Sequence, residues 1–153
     1  MIYILLFIIF IVADQLTKFL ASKFLIVRDI SITSWFKFSY VENRGAAFGM
    51  MQDKQSFFIV ITALVLVVIS FYILKHGSEF STLEKIGLTF FLSGAVGNLI
   101  DRILNGYVVD FISVRLFNSY DFPVFNIADS LICVGAFLLI ISFIKGDFSE
   151  AKN

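Results

Sequence analysis

Long apolar stretches alternate with segments that hold most of the polar residues of the chain. Four of these stretches approach the ~20 residues that a helix needs to cross a bilayer. None of them shows the two-residue alternation of a membrane β-barrel. We therefore predict an all-α membrane protein with four transmembrane helices at about 2–20, 57–74, 86–104 and 127–144, within a single membrane-embedded domain that covers 1–153.

Two longer connectors, at 22–56 and 107–125, are rich in β-forming residues. The segment 30–38 alternates in part and contains Trp35, a residue type that prefers the headgroup level of a bilayer. This pattern predicts one or two strands at the membrane interface. Because two crossings, the second and the third helix, separate the connectors, both must lie on the same side of the membrane.

Composition agrees with a membrane protein and excludes several classes of function. The chain is 59% hydrophobic and 16% charged, against about 45–50% and about 25% in a soluble domain. A net charge of zero gives no sign of nucleic-acid binding. A single Cys and a single His exclude an internal disulfide and the common zinc motifs. We expect no cofactor and no metal. The first stretch lacks the basic start and the cleavage site of a signal peptide, so we expect it to be retained.

The unusual polar residues all fall on the side of the two connectors. Ionisable residues in membrane spans are costly and commonly mark a functional site. They come from both connectors and from the ends of three helices: Asp14, Lys18, Asn43, Arg44, Asn98, Asp101, Arg102, Asp110, Asn126 and Asp129.

Asp110 and Asp129 are the strongest candidates for catalysis, because each carboxylate lies among apolar neighbours at the membrane edge. Two such acids that share one proton can activate a water and protonate a leaving amine. The alternatives are a solvated turn for Asp110 and a favourable helix N-terminal charge for Asp129.

The other polar groups also allow structural interpretations. Asp14 and Lys18 have the spacing of an ion pair at a helix end. Gly94, Asn98 and Arg102 lie along one face of the predicted third helix. They are compatible with close helix packing through glycine and with an Asp101–Arg102 patch at the lipid headgroups. The segment 43–49 is either a turn or a wall that a ligand backbone approaches closely.

Five segments together resemble the lipoprotein signal peptidase family, also called signal peptidase II. They are DQLTK at 14–18, NRGAAFG at 43–49, GNLIDR at 97–102, VVDF at 108–111 and FNIADS at 125–130. They occur in the order of the family and extend from the first helix to the fourth.

The resemblance implies a bacterial inner-membrane aspartyl endopeptidase. Such an enzyme removes the signal peptide from a diacylglyceryl-modified prolipoprotein by cleaving just before the lipidated Cys. It implies a monomer in contact with membrane lipids, sensitive to cyclic peptides such as globomycin, with a small β-cradle in the extracytoplasmic connector. The implied residues are catalytic Asp110 and Asp129, substrate-binding Asn43, Gly45, Asn98, Arg102 and Asn126, and supporting Asp14, Lys18, Asp101 and Ala128.

The charge distribution and the family resemblance predict opposite orientations in the membrane. Eight Lys and Arg residues lie on the side of the connectors and four on the other side, so the positive-inside rule would place the connectors in the cytoplasm. The family implies cytoplasmic termini and extracytoplasmic connectors, and we follow the motifs because long translocated loops weaken the rule. A proton-coupled transporter and a non-enzymatic membrane scaffold are the alternative functions.

Overall fold

The computed structural model describes residues 1–45, 54–117 and 119–146. Within these ranges the chain forms four long helices and a four-stranded antiparallel sheet, which confirms the predicted fold class. The elements are α1 (Ile2–Phe24), β1 (Ile30–Ser31), β2 (Phe36–Asn43), α2 (Gln55–His76), α3 (Thr82–Asn105), β3 (Val108–Leu116), β4 (Tyr120–Asp121) and α4 (Ile127–Ile144).

All four helices are long and apolar enough to cross a bilayer. Three of them extend beyond the stretches found by hydropathy, because polar turns at their ends are also helical. The helix α3, for example, begins at Thr82 rather than near 86, since Ser81 and Glu84 form a capping box at its N-terminus.

The helix α3 is the centre of the bundle and packs most extensively against α4. Glycine allows this close approach: a Cβ at Gly94 would clash with the carbonyl oxygen of Ala128, and a Cβ at Gly135 would lie 2.5 Å from the backbone nitrogen of Phe91. In contrast, α2 has no buried residue. Most of its surface is therefore available to lipid.

The sheet has the strand order β1-β2-β3-β4 and lies at the end of α1. A small core of Ala21, Leu25, Val109 and Phe111 joins α1 to β3. The pairing of β2 with β3 sets Val41 opposite Asp110 and Asn43 opposite Val108, after an irregularity between Phe38 and Val41. Asn43 is thus the diagonal neighbour of Asp110 on the same face of the sheet.

Candidate active site

A cavity of about 870 Å³ opens where the sheet meets the ends of α3 and α4. The polar residues of its lining, the polar wall, include Asn43, Asn98, Arg102, Asp110 and Asp129. The apolar residues of its lining, the apolar wall, include Phe122, Val124, Ile132 and Val134. The cavity therefore offers both polar groups and apolar surface suited to hydrocarbon.

Asp110 lies in β3 with only 2% of its surface exposed. Its Oδ2 accepts a hydrogen bond from Asn43 Nδ2 at 2.9 Å, and its Oδ1 accepts one from Asn126 Nδ2 at 2.7 Å. Burial, followed by the negative charge of Asp129, raises the pKa of Asp110 to about 7, although the two amide donors and Lys18 oppose this rise. Asp110 can therefore hold a proton near neutral pH.

Asp129 lies in the first turn of α4, half-buried and facing the cavity. Both of its carboxylate oxygens accept N–H donors. Asn98 Nδ2 donates to Oδ1 at 2.8 Å, and the backbone N–H of Asn126 donates to Oδ2 at 3.1 Å. The N-terminus of a helix also favours negative charge. These surroundings suit an ionised carboxylate.

Asn126 joins the two acids. Its side chain is fully buried and caps α4 by accepting a hydrogen bond from the backbone N–H of Asp129 at 2.8 Å. This cap leaves its Nδ2 to donate to Asp110 Oδ1. One residue therefore contacts both carboxylates, which brings the two predicted catalytic residues to a common centre.

The side-chain amides of Asn43 and Asn98 are oriented in the same manner. Asn43 Oδ1 accepts from the backbone N–H of Gly45 at 3.0 Å, so that its Nδ2 points to Asp110. Asn98 Oδ1 accepts from Lys18 Nζ at 2.9 Å, so that its Nδ2 points to Asp129. In each case an unambiguous donor directs the amide NH₂ to a carboxylate.

The predicted supporting residues form a buried layer next to the two acids. Lys18 Nζ lies 2.9 Å from Asp14 Oδ2 and 3.1 Å from Asp101 Oδ2. Asp14 also accepts from the backbone N–H of Ala128 at 2.9 Å, and Asp101 accepts from that of Val109 at 3.0 Å. The structure thus brings all four predicted supporting residues into this layer.

Arg102 lines the cavity in a half-buried position. Its guanidinium lies 5.2 Å from the ring centroid of Phe58 and donates to the backbone oxygen of Asn98 at 3.4 Å. Arg44 lies over the ring of Tyr107 at 5.2 Å. The remainder of the predicted 43–49 segment, 46–49, lies outside the described residues.

Sequence reasoning did not assign a role to Gln15 or to the apolar wall. Gln15 Nε2 donates to Asp101 Oδ1 at 3.0 Å and to the backbone oxygen of Gly97 at 3.1 Å. Its position within the 14–18 segment, which carries the family resemblance, could have indicated a role for Gln15. Phe122 and Val124 gave no signal, because apolar residues are common throughout that connector.

The sequence is similar to known proteins over most of its length. The family model described as signal peptidase (SPase) II matches residues 6–145. A lipoprotein signal peptidase from Clostridium tetani is 46% identical over 145 residues, which cover 94% of this chain and 92% of that protein. One from Caldanaerobacter subterraneus is 49% identical over 128 residues, which cover 82% and 84% of the two chains.

The fold is also similar to that of a solved structure described as a bacterial membrane enzyme. The TM-score is 0.83 at 30% sequence identity, and the match covers 99% of this chain and 92% of the other. The similarity therefore includes the sheet and the helices that together surround the cavity.

Proposed function

Because the chain belongs to the signal peptidase II family and is a multi-pass membrane aspartic peptidase that cleaves the signal peptides of prolipoproteins, we propose that Asp110 and Asp129 carry out the cleavage. The observation that supports this assignment is the contact of Asn126 with both carboxylates, and Asp110 and Asp129 line the cavity. Membership of this family favours a peptidase over the transporter and the scaffold that the sequence also allowed.

The proposed reaction begins with a water held between the two acids. Asp129, as the ionised partner, takes a proton from this water while the oxygen attacks the scissile carbonyl carbon. Asp110 begins protonated, consistent with its pKa of about 7. It gives its proton to the leaving nitrogen as the C–N bond breaks. Transfer of a proton from Asp129 to Asp110, by way of solvent, restores the starting state.

The polar wall, together with Gly45 and Asn126, supplies the groups that would hold the peptide and stabilise charge. Asn43, Gly45, Asn98, Arg102 and Asn126 are the proposed substrate-binding residues. Arg102 brings a positive charge to the cavity, where a carbonyl oxygen becomes an oxyanion during the attack. The apolar wall extends along α4, which faces the membrane, and suits the diacylglyceryl chains of a substrate cleaved just before its lipidated Cys.

The test is the replacement of each acid by its neutral isostere. Asp110→Asn and Asp129→Asn should each slow the cleavage of a lipidated prolipoprotein in a gel-shift assay by about 10²–10⁴-fold or more. Asp121→Asn is the matched control, because Asp121 is an exposed aspartate of the same connector that pairs with Arg115 at 2.6 Å. Cleavage at the parental rate by either acid variant would remove that residue from the mechanism.

We further propose that residues 1–153 form one peptidase domain that acts as a monomer in the bacterial inner membrane. In this proposal both termini are cytoplasmic, the site faces the extracytoplasmic side, lipids surround the helices, and globomycin competes for the cavity. Orientation can be tested on intact cells in a Cys133→Ser background. An impermeant thiol reagent should label Asn105→Cys, at the end of α3, and leave Ser78→Cys, in the opposite turn, unlabelled. Labelling of Ser78→Cys and not of Asn105→Cys would show the opposite topology, with the site on the cytoplasmic side.

A further inference from the structure

Lys18 is buried in α1 with 3% of its side chain exposed, and all three ammonium protons have an acceptor. The acceptors are Asp14 Oδ2 at 2.9 Å, Asp101 Oδ2 at 3.1 Å and Asn98 Oδ1 at 2.9 Å. A lysine in an ordinary helix-end ion pair would extend its ammonium toward water. Lys18 instead joins α1 to two positions of α3.

Each of the two carboxylates bound to Lys18 also accepts a hydrogen bond from a backbone N–H group next to a proposed catalytic acid. Asp14 Oδ1 accepts from the backbone N–H of Ala128, the residue before Asp129. Asp101 Oδ2 accepts from the backbone N–H of Val109, the residue before Asp110. One ammonium group is therefore connected, through one carboxylate each, to the backbone beside both proposed catalytic acids.

The third acceptor, Asn98, connects Lys18 to a catalytic side chain. The amides of Asn43 and Asn126 are oriented by backbone N–H groups. The carbonyl oxygen of the Asn98 side chain instead accepts from Lys18 and from Asn126 Nδ2. A flipped Asn98 amide would direct its NH₂ at the ammonium and its oxygen at the Asp129 carboxylate, and both contacts would be repulsive.

From this arrangement we propose that Lys18 is a positioning residue that sets the separation and the orientation of the two catalytic acids through Asp14, Asp101 and Asn98. The proposal rests on the proposed function, since it presumes that Asp110 and Asp129 perform the reaction. Lys18 does not line the cavity. Its replacement should therefore change the rate of the chemical step much more than the binding of substrate.

A purely structural role for Lys18 makes a different prediction. An ion cluster that only holds the bundle together would reduce stability when it is removed and leave the activity of the folded molecules intact. Glu84 is the matched control for such a role, because it is also a buried charged residue of the bundle, with 2% exposure, and caps the opposite end of α3.

The experiment compares Lys18→Met, Glu84→Gln and the double variant Asp14→Asn/Lys18→Met as purified full-length proteins. Thermal unfolding measures the folded fraction, and kcat and KM for a lipidated prolipoprotein are expressed per folded enzyme. The double variant preserves the formal charge of −1 that Asp14, Lys18 and Asp101 carry together. It also retains an amide oxygen at position 14 for the backbone N–H of Ala128. If Lys18→Met alone fails to fold, the double variant still tests whether the contacts of Lys18 position the two acids.

We expect kcat to fall by about 100-fold in both Lys18 variants, the typical cost of a small misplacement of reacting groups, with KM within about threefold of the parent. Glu84→Gln should unfold at a lower temperature and retain kcat within about twofold. A folded Lys18 variant with parental kcat, or with a loss expressed only in KM, would overturn the proposal. Asp110→Asn and Asp129→Asn are measured in the same experiment to separate the two proposals. Parental rates in these variants would refute the catalytic role of the two acids. A parental rate in the Lys18 variants alone would refute only the positioning role of Lys18.

Discussion

Replacing Asn43 with alanine removes one of the two side-chain amides that favour the ionised form of Asp110. Asn43 Nδ2 donates to Asp110 Oδ2 at 2.9 Å, and this hydrogen bond lowers the pKa of the carboxyl against the larger opposing effect of burial. The sign of the effect follows directly: without the donor the ionised form is less stable, and the pKa of Asp110 must rise above its present value of about 7.

The size of the rise follows from the strength of the lost bond. A hydrogen bond to a charged group contributes about 1.5–3 kcal/mol, and one pKa unit corresponds to about 1.4 kcal/mol. The pKa of Asp110 in Asn43→Ala should therefore rise by about 1–2 units, to about 8–9. If Asp110 acts as the protonated partner, the alkaline limb of the pH profile should move upward by the same amount.

The assay is the pH dependence of kcat/KM for a lipidated prolipoprotein, because this ratio reports the ionisations of the free enzyme. The charge of Asp129 acts on Asp110, so both limbs are fitted together. Asn43→Ala also removes a proposed substrate contact, which should lower kcat/KM at every pH without moving the limb. Asn105→Ala, an exposed asparagine at the end of α3, is the control. An alkaline limb that stays in place or moves downward would refute the assignment of Asp110 as the acid.

Two further predictions concern stability and the cavity. The folded-state pKa of Asp110, about 7, exceeds its ordinary value of 3.8. The native state therefore holds one more proton between these values, and its stability should fall as pH rises through this window, by about 4 kcal/mol at most. Asp110→Asn should flatten that dependence in thermal unfolding, and an unchanged slope would contradict the raised pKa. Cys133, the single cysteine of the chain, is exposed on the cavity wall. A bulky apolar maleimide should block cleavage by the parent and spare Cys133→Ser, and full activity of completely labelled parent would argue against this cavity as the substrate site.

Local signals in the sequence account for the helices and for their caps. The lengths of the apolar stretches were enough to locate four helices. A backbone in lipid must satisfy its own hydrogen bonds, and a helix does so within one segment. The start of α3 is also readable, since Ser81 and Glu84 have the spacing of a capping box. The same spacing recurs at Asn126 and Asp129, where the cap coincides with the proposed catalytic centre. In this case a local folding signal and a site residue are the same group.

Long-range contacts are the part that the sequence pattern does not contain. Asn43 and Asp110 lie 67 positions apart and meet because β2 pairs with β3 in one register. A register shift of one residue would turn Asn43 to the other face of the sheet. Nothing in the composition of either strand distinguishes these registers. In the same way, the spacing of Asp14 and Lys18 suggested a simple pair, whereas Lys18 also contacts Asp101 and Asn98 on another helix.

The balance of charge around the site gives a reason why one acid must keep a proton. Four carboxylates belong to the connected network, those of Asp14, Asp101, Asp110 and Asp129. The cations among the described residues that adjoin it are Lys18 and Arg102. If all four acids were ionised, their negative charges would exceed the positive charges of Lys18 and Arg102 by two, and such an excess is costly where water is scarce.

Protonation of one acid halves that excess charge, and the raised pKa of Asp110, about 7, favours the proton there. Asp129 has the N-terminus of α4 beside it, and Asp14 and Asp101 each have the ammonium of Lys18. Among the described residues, the oxygens of Asp110 accept hydrogen bonds from the amides of Asn43 and Asn126. The proposed mechanism uses this difference, with Asp129 as the ionised base and Asp110 as the protonated acid.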